Sequence, residues 1–357
     1  MSQTEQDDLI AGRDDLILIT GATGFIGSRL VASLLGRGFR NLRCLARPSS
    51  AAARVNALST WSSDAGRIEV VRGNLLSRED CAAATRGAAV IYHLAAGRGE
   101  KSVPDAYLNS VVTTRNLMDA SLAHKCLRRF VNVSSFTVYT NAQKPKSGLL
   151  DETCPVEEHP EQRGEAYCFA KVRQEEIVTE YGKRFGIPYV IVRPGYVYGP
   201  GNEGITGRVG IGTFGLFLHL GGSNTIPLTF VDNCAEAIAL AGLKRGVDGE
   251  IFNVVDDDLP TSRQFLRQYK KKVKRFKSIY VPHALSFTLF YLWERYSIWS
   301  EGQLPPVYNR RDWRASYKKT RYSNEKLKTL LGWTPKVPTA EGLTRHFEAC
   351  RNRGHNA

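Results

Sequence analysis

Apolar positions along the chain fall into two alternating kinds of run. Short, bounded runs recur at Leu16-Ile17-Leu18-Ile19, Leu42-Arg43-Cys44-Leu45-Ala46, Ile68-Glu69-Val70-Val71, residues 88–94, Arg129-Phe130-Val131-Asn132-Val133 and residues 188–192. Each has the length and composition of a buried strand. Between them lie stretches with helical spacing. Residues 28–35 put Leu30, Leu34 and Leu35 on one face, and residues 109–122 and about 165–185 continue the pattern. Strands alternating with helices predict an α/β fold built on a doubly wound parallel sheet. Its crossovers are expected to be right-handed, and its site to lie at the carboxyl ends of the strands. Past Pro194 the pattern changes. Residues 199–227 are rich in glycine, reading as loops or a mobile segment; 235–243 is a short apolar helix, 251–255 one more strand, and the rest to Ala357 mostly helical and aromatic. No internal repeat is present.

The turn that leaves the first run reads TGATGFIG, residues 20–27. Strand, glycine-rich turn, helix is the context of a dinucleotide-binding turn. Gly21 lets the chain turn, Gly24 lets backbone approach a pyrophosphate, and Gly27 lets the helix pack closely on the sheet. Backbone N–H groups at the helix start then face the phosphates. The spacing is G-x-x-G-x-x-G rather than G-x-G-x-x-G, and a glycine-rich turn without a ligand is the competing reading. The fold class that follows is Rossmann-type, with a smaller, discontinuous C-terminal substrate domain. Its expected parts are a disordered tail (1–14) and a dinucleotide-binding domain (15–198, with a returning segment near 229–255). The substrate domain is then 199–228 with 256–357.

Composition narrows the class further. The polar, acidic start Met1–Asp8 is not a signal peptide, and no apolar run reaches the length that spans a bilayer. The seven cysteines (44, 81, 126, 154, 168, 234, 350) form no C-x-x-C pair and no Cys/His cluster, so no metal is expected. Scattered thiols read as reduced, and the expected location is cytoplasmic. Net charge is +14. The basic residues are dispersed except in Lys270–Lys277, and no zinc-finger spacing or RNA-binding aromatic signature accompanies them, so nucleic acid is not an expected partner.

Tyr167-Cys168-Phe169-Ala170-Lys171 places a phenol and an ammonium four residues apart, on one face of a helix. A free phenol, with a pKa of about 10, is a poor base at neutral pH. A neighbouring ammonium favours the phenolate. Tyr322 and Lys326 have the same spacing, but only Tyr167 follows a strand ending in the hydroxyls Ser134-Ser135; the Tyr322 pair reads as surface decoration.

The ordered set TGATGFIG, HLAA at 93–96, Asn109, VSS at 133–135, YCFAK at 167–171, RPGYVYGPG at 193–201 and LGWTP at 331–335 resembles the extended short-chain dehydrogenase/reductase family. The resemblance covers nearly the whole chain. It implies a nicotinamide cofactor, with Tyr167 as acid/base, Lys171 lowering its pKa and holding the nicotinamide ribose, and Ser135 meeting the substrate oxygen. It further implies cofactor contacts from Gly21, Thr23, Gly24, Phe25, Ile26 and Gly27. Others would come from Arg47, Asn74, Leu75, Leu94, Ala95, Ala96, Asn109 and Val133, with Pro194 and Val197 lining the nicotinamide.

Two positions depart from the family pattern. The end of the second strand reads Leu45-Ala46-Arg47-Pro48-Ser49-Ser50, with no acid to bond the adenosine ribose and with a guanidinium suited to a 2′-phosphate. NADP is therefore expected, with NAD as the alternative. Asn74 stands where the family has Asp facing adenine, which weakens that contact without removing it.

Ser135-Phe136-Thr137 lacks the T-D-E arrangement of dehydratases, and apolar Ile226 replaces the diphosphate-clamping arginine of sugar epimerases. The expected function is transfer of a hydride between nicotinamide and a secondary alcohol or ketone. A nucleotide-sugar epimerase, using Arg208 or other arginines, is the alternative, and a non-catalytic dinucleotide sensor a further one. A homodimer is expected. Finally, the six basic residues of 270–277 precede the apolar, aromatic stretch 284–293. The plainer reading packs that stretch onto the sheet. The other makes 270–293 a peripheral membrane contact, with apolar burial added to attraction for anionic lipid.

Overall fold

The apolar runs become seven strands: β1 (Ile17–Thr20), β2 (Asn41–Ala46), β3 (Arg67–Arg72), β4 (Val90–His93), β5 (Arg129–Val133), β6 (Tyr189–Pro194) and β7 (Ile251–Val254). They are seen in a computed structural model that describes residues 8–59, 67–96, 102–141, 148–301, 303–304 and 306–355. The order is β7-β6-β5-β4-β1-β2-β3, and every neighbouring pair is parallel. All carboxyl ends therefore share one edge, and the order reverses between β1 and β4, where a crevice opens. β1, β4 and β5 are buried along their whole length, the polar side chains His93, Arg129 and Asn132 included, so none of them alternates buried with exposed positions.

Side-chain alternation splits the core in two. Ile17 and Ile19 pack with Leu30, Val31 and Leu34 of α1 (Phe25–Gly36) and with Ala235 and Ile238 further along the chain. Leu18, between them, faces the other way. It joins Ile91, Phe130 and Ile191 in a cluster with Leu117, Met118, Ile177 and Val178. Short helices α2 (Ala52–Ser59) and α3 (Arg78–Thr85) follow β2 and β3. The helix expected over 109–122 starts earlier. It runs as one element, α4, through Val103–Ala106, a π-helical stretch Tyr107–Val112 and Thr113–Leu122. Pro104 in its first turn, after the N-cap Ser102, sets the start. The long helix α5 covers Ala166–Phe185 and stops at Gly186, whose φ is +69°. The returning segment pairs Leu228–Phe230 with Tyr196–Tyr198 and continues into α6 (Val231–Leu243).

Residues 8–14 do not belong to the expected disordered tail. Residues 1–7 lie outside the described residues, but Leu9 and Ala11 are buried, and Ile10 N–H donates to the Leu243 carbonyl at 2.8 Å. The apolar side chains Leu9 and Ala11, set among polar neighbours, join the core beside α6.

The remaining chain is built from α7 (Ser262–Lys272), α8 (His283–Trp299), α9 (Arg310–Tyr317), α10 (Glu325–Leu331) and α11 (Thr339–His355). Part of the glycine-rich segment is ordered as an antiparallel pair, Gly210–Thr213 with Leu216–His219, extended by Ser278–Tyr280. Leu327, Leu331 and Trp333 enter the same core as β1 and α1, so the C-terminal part is not wholly separate from the sheet. α8 packs instead against α9. Its Phe290 sits with Leu220, Val281 and Tyr317 in a small cluster apart from both sheet cores, so 284–293 does not pack onto the sheet as the plainer reading expected.

One buried ion pair locks α5 to the sheet. Arg193 of β6 donates to both oxygens of Glu175 at 2.9 and 2.6 Å, and to Tyr139 Oη at 2.9 Å. Tyr139 Oη donates in turn to Asn253 Oδ1 on β7 at 2.8 Å. Both charged side chains are nearly inaccessible, so neither can fall back on water if its partner is lost. Glu175→Ala is expected to lower unfolding stability by about 3–5 kcal/mol in urea titration, whereas a loss under about 1 kcal/mol would contradict this role for the pair.

Candidate functional site

At the end of β1 the chain turns through Gly21, at φ +73°, where a Cβ would come within 3.0 Å of Ala95 N and 3.1 Å of the Leu94 carbonyl carbon. Two hydrogen bonds bind the same crossing: Leu94 N–H to the Thr20 carbonyl and Ala95 N–H to Thr20 Oγ1, both 3.2 Å. At Gly27 a Cβ would sit 2.1 Å from the Gly21 carbonyl oxygen, so only glycine lets α1 approach the turn this closely. Gly24 is the N-cap of α1 and no side chain caps the helix. Thr23, Phe25 and Ile26 are half-buried around it, as are Leu94, Ala95 and Ala96 at the end of β4. A helix N-terminus without a side-chain cap, behind a turn too tight for side chains, fits the pyrophosphate of a dinucleotide.

At the ends of β2 and β3 the surroundings are basic. Arg47 is exposed, and Arg72, beside Ala46 in register, donates to the Pro48 carbonyl at 3.3 Å. Arg72 had no signal in sequence, since only strand register brings it next to Arg47. Asn74 is exposed, but its Oδ1 accepts the Leu76 N–H at 3.0 Å, so the amide oxygen serves its own turn. Leu75 is buried beneath it, its carbonyl taken by Asn116 Nδ2 at 3.0 Å.

The end of β5 carries the titratable groups. Ser135 is half-buried and caps the short turn Phe136–Val138, its Oγ accepting the Thr137 N–H at 3.2 Å. That turn is fastened to the start of α5. Thr137 Oγ1 donates to Glu165 at 3.1 Å, and Cys168 Sγ to the Thr137 carbonyl at 3.3 Å. Tyr167 is half-buried on the first turn of α5. Lys171, one turn on, is buried with its Nζ 5.8 Å from the centre of the Tyr167 ring. It donates to the Val133 carbonyl at 2.8 Å and to Gln174 Oε1 at 3.0 Å.

Behind Lys171 lies a polar network with one consistent set of donors. Thr114 Oγ1 donates to the Ser110 carbonyl at 2.6 Å and accepts from Gln174 Nε2 at 2.7 Å. With its proton so committed, Thr114 can only accept from His93 Nε2 at 2.9 Å, which assigns that proton to Nε2. His93 Nδ1 then accepts from Thr20 Oγ1 at 2.8 Å. Burial, reinforced by the charge of Lys171, lowers the His93 pKa to about 3, so the ring stays neutral. Gln174 was missed in sequence, although it stands three residues after Lys171 on the same helical face.

Not every expected residue joins this group. Asn109 lies in the π-helical stretch, is exposed, and donates from Nδ2 to the Asp105 carbonyl at 3.0 Å on its own helix. Its turn instead offers the Ser110 carbonyl to the network. Pro194 is buried and Val197 half-buried, with Asn202 Nδ2 donating to the Val197 carbonyl at 2.8 Å. Tyr322 is no surface decoration. It pairs beside Leu150 and packs on Phe136, ring centres 5.6 Å apart, while Lys326 pairs with Glu250. Below the substrate side, Arg163 is wholly buried and donates to the Thr137 and Tyr139 carbonyls. Asp312 of α9 lies 3.8 Å from it, its carboxyl lifted by burial to about 6. Arg208 is half-buried, donating to the Ala315 carbonyl at 3.0 Å, and Ile226 is sealed in the core.

Residues 17–254 match the NAD dependent epimerase/dehydratase family. The chain is 32% identical over 191 residues to cinnamoyl-CoA reductase 1 of Oryza sativa subsp. japonica, covering 53% of this chain and 55% of that one. It is 24% identical over 309 residues to 3beta-hydroxysteroid-dehydrogenase/decarboxylase isoform 1 of Arabidopsis thaliana, covering 80% and 67%. The match thus spans little more than half the length of the first of these relatives. Among solved structures, UDP-glucuronic acid 4-epimerase from Bacillus cereus, in complex with NAD, superposes with a TM-score of 0.69 at 22% identity, over 95% of this chain and 99% of that one. At that identity the likeness speaks for the fold.

The neutral His93 has a measurable consequence. Its folded pKa lies below the ordinary value of 6.5, so between those two pH values the unfolded chain binds a proton that the folded chain refuses. The stability it contributes is complete above the ordinary pKa and lost as pH falls. The stability advantage of wild type over His93→Gln should therefore shrink by up to about 1.4 kcal/mol per pH unit below that point. A difference that stays constant between about pH 7 and about pH 5 in urea titrations would contradict a neutral buried ring.

Proposed function

The chain belongs to the NAD dependent epimerase/dehydratase family and is an NAD(P)-dependent enzyme of the extended short-chain dehydrogenase/reductase kind, and on that premise we propose that it interconverts a ketone or aldehyde and the corresponding alcohol, with Tyr167 as the acid/base. The observation that carries this reading is the buried Lys171 one helical turn from Tyr167, with the Ser135 turn fastened to the same helix start. When bound, the dinucleotide supplies or accepts the hydride at its nicotinamide. The rest is the work of this chain's own groups. Gly21, Gly24, Gly27 and the first N–H groups of α1 hold the pyrophosphate. Lys171 and Tyr167 hold the nicotinamide ribose, and Val133, Leu94–Ala96, Pro194 and Val197 line the path between.

Ser135 Oγ already accepts one backbone N–H, and a hydroxyl in that state keeps its own proton to donate to a substrate oxygen. In the reductive direction Tyr167 Oη gives its proton to that oxygen as the carbonyl carbon becomes tetrahedral. The charge left on the phenol is stabilised by the ammonium beside it. In oxidation the same proton returns to Tyr167. Asn109 is given no part in this assignment, since its side chain is exposed and its Nδ2 donates to a carbonyl of its own helix.

A ketone or aldehyde is favoured over a nucleotide sugar by Ile226. Where an epimerase would present a diphosphate clamp, this chain buries an apolar side chain in the core. The names of the reductase and dehydrogenase relatives point the same way. Arg208 keeps the epimerase as a second reading, because it is half-buried beside Tyr317 and Asp312.

For the cofactor, NADP is favoured over NAD. The end of β2 carries no carboxylate between Ala46 and Ser50, and it exposes Arg47 with Arg72 beside it. Two guanidiniums suit a 2′-phosphate and leave a ribose diol without its acceptor.

Two measurements test these assignments. Tyr167→Phe should cut turnover on an aryl and alicyclic carbonyl panel by about 10²–10⁴ while NADPH binding stays within a few-fold, the range removed with a general acid. Turnover close to wild type would remove Tyr167 from the chemistry. Separately, Arg47→Ala should weaken NADPH by about tenfold or more, as expected for lost charge-assisted hydrogen bonds, and leave NADH unchanged. Tighter binding of NADH than NADPH by the wild type would overturn the NADP assignment.

A further inference from the structure

Helix α8 is apolar on both sides: Phe287, Phe290 and Trp293 turn inward onto Trp313 and Tyr308. On the side facing α9 it buries Ser286 and Ser297 along with Phe290. Ser286 accepts from Trp313 Nε1 at 2.9 Å and donates to the His283 carbonyl, and Ser297 donates to the Leu304 carbonyl at 2.7 Å. On the side facing away stand Leu285, Leu289, Leu292, Tyr296 and Trp299. Their spacing of four, three, four and three residues lines them up in one stripe. Each is at least half exposed, and Trp299 is 75% exposed. The strand that leads into the helix adds exposed Ile279 and Tyr280. A stripe of this kind is ordinarily turned into a core, and one left outside marks an interaction surface.

The charge around it says what covers it. Residues 262–299 hold nine lysines and arginines and one acid, Glu294, which is paired with Arg310 at 2.9 Å. Lys271, Lys272, Lys274, Arg275 and Lys277 are exposed immediately before the strand and helix, and Arg295 projects from α8 itself. A second copy of this chain, docked symmetrically, would bring the same basic patch against itself. Nucleic acid would meet the charge but leave the leucines in water. An anionic bilayer surface meets both, since lysines and arginines are drawn to acidic headgroups while apolar side chains enter the acyl boundary. Tyr296 and Trp299, stacked with ring centres 5.6 Å apart, are residues that favour the headgroup level. A 17-residue helix is too short to cross a membrane, and among the described residues no helix is long and apolar enough to do so.

The geometry points to α8 and the basic segment before it as a peripheral docking surface for anionic phospholipid bilayers, with α8 lying in the plane of the interface. The full chain is sedimented with vesicles of phosphatidylcholine alone and of phosphatidylcholine with phosphatidylglycerol, at low and high salt. Binding is expected to the anionic vesicles only, and to weaken with salt. Each basic residue near the surface contributes about fivefold, so the triple variant Lys271→Gln, Lys274→Gln, Arg275→Gln should lose about a hundredfold in partitioning. The variant Leu289→Ser, Leu292→Ser, Trp299→Ser should lose binding by a comparable factor. All six positions are surface-exposed, and an unchanged melting temperature verifies the fold. Absence of binding, equal partitioning into neutral and anionic vesicles, or indifference to either variant overturns the proposal. So does a dimer-to-monomer shift caused by the leucine and tryptophan substitutions in analytical ultracentrifugation, which would assign the face to a second copy.

Discussion

A lysine ammonium taken out of water survives only where acceptors replace the water it leaves. Lys171 is such a group, 3% exposed, and much of the site follows from how it is satisfied. The carbonyl that receives it belongs to Val133, the last residue of β5, so the helix carrying Tyr167 is tied to the end of the central sheet. The other acceptor, Gln174 Oε1, is useful only if the Gln174 amide is itself held, and Thr114 holds it. Thr114 is fixed by His93, and His93 by Thr20, the residue that opens the glycine turn. One buried charge thus links α5, β5, α4, β4 and β1 at the edge where their ends meet. The Arg193–Glu175 pair does the same from below, bracing α5 against β6 and β7.

This arrangement explains which parts of the protein were legible in its sequence. Seven strands and the glycine turn could be read because their signals are local: apolar runs of strand length, and glycines at positions where the structure has no room for a Cβ. The placement of Tyr167 and Lys171 on one helix and of Ser135 at a strand end could be read because those spacings are also local. What failed depended on contacts distant in sequence. Asn109 matched a motif, yet the π-helical stretch leaves its side chain exposed and uses the neighbouring Ser110 carbonyl instead. Tyr322 repeated the Tyr–Lys spacing of the site and read as surface, but a two-residue strand beside Leu150 draws it onto Phe136. Residues 8–14 looked like tail because only Leu9, Ile10 and Ala11 are apolar there, and those contacts lie with a helix more than two hundred residues away. Arg72 gave no signal at all, and Gln174 gave only its place three residues after Lys171 on the same helix.

The C-terminal part follows a different logic. Arg163, wholly buried, ties the turn after Ser135 to α9 through Asp312, and Asn309 Nδ2 donates back to the Arg163 carbonyl at 2.7 Å. α9 is therefore fastened to the same turn that carries Ser135. On its far side α9 carries α8, which turns Phe287, Phe290 and Trp293 inward and its leucines out.

The dependence of the site on one buried cation is tested most directly by replacing it with its neutral near-isostere. Lys171→Met keeps the volume of the side chain, and circular dichroism establishes that the variant is folded. NADPH binding, followed by titrating the nicotinamide fluorescence, should then weaken by at least about tenfold, because the Val133 carbonyl loses its donor and, on the assignment proposed above, the ribose loses a charged one. A folded Lys171→Met protein that binds NADPH as tightly as the wild type would contradict the account.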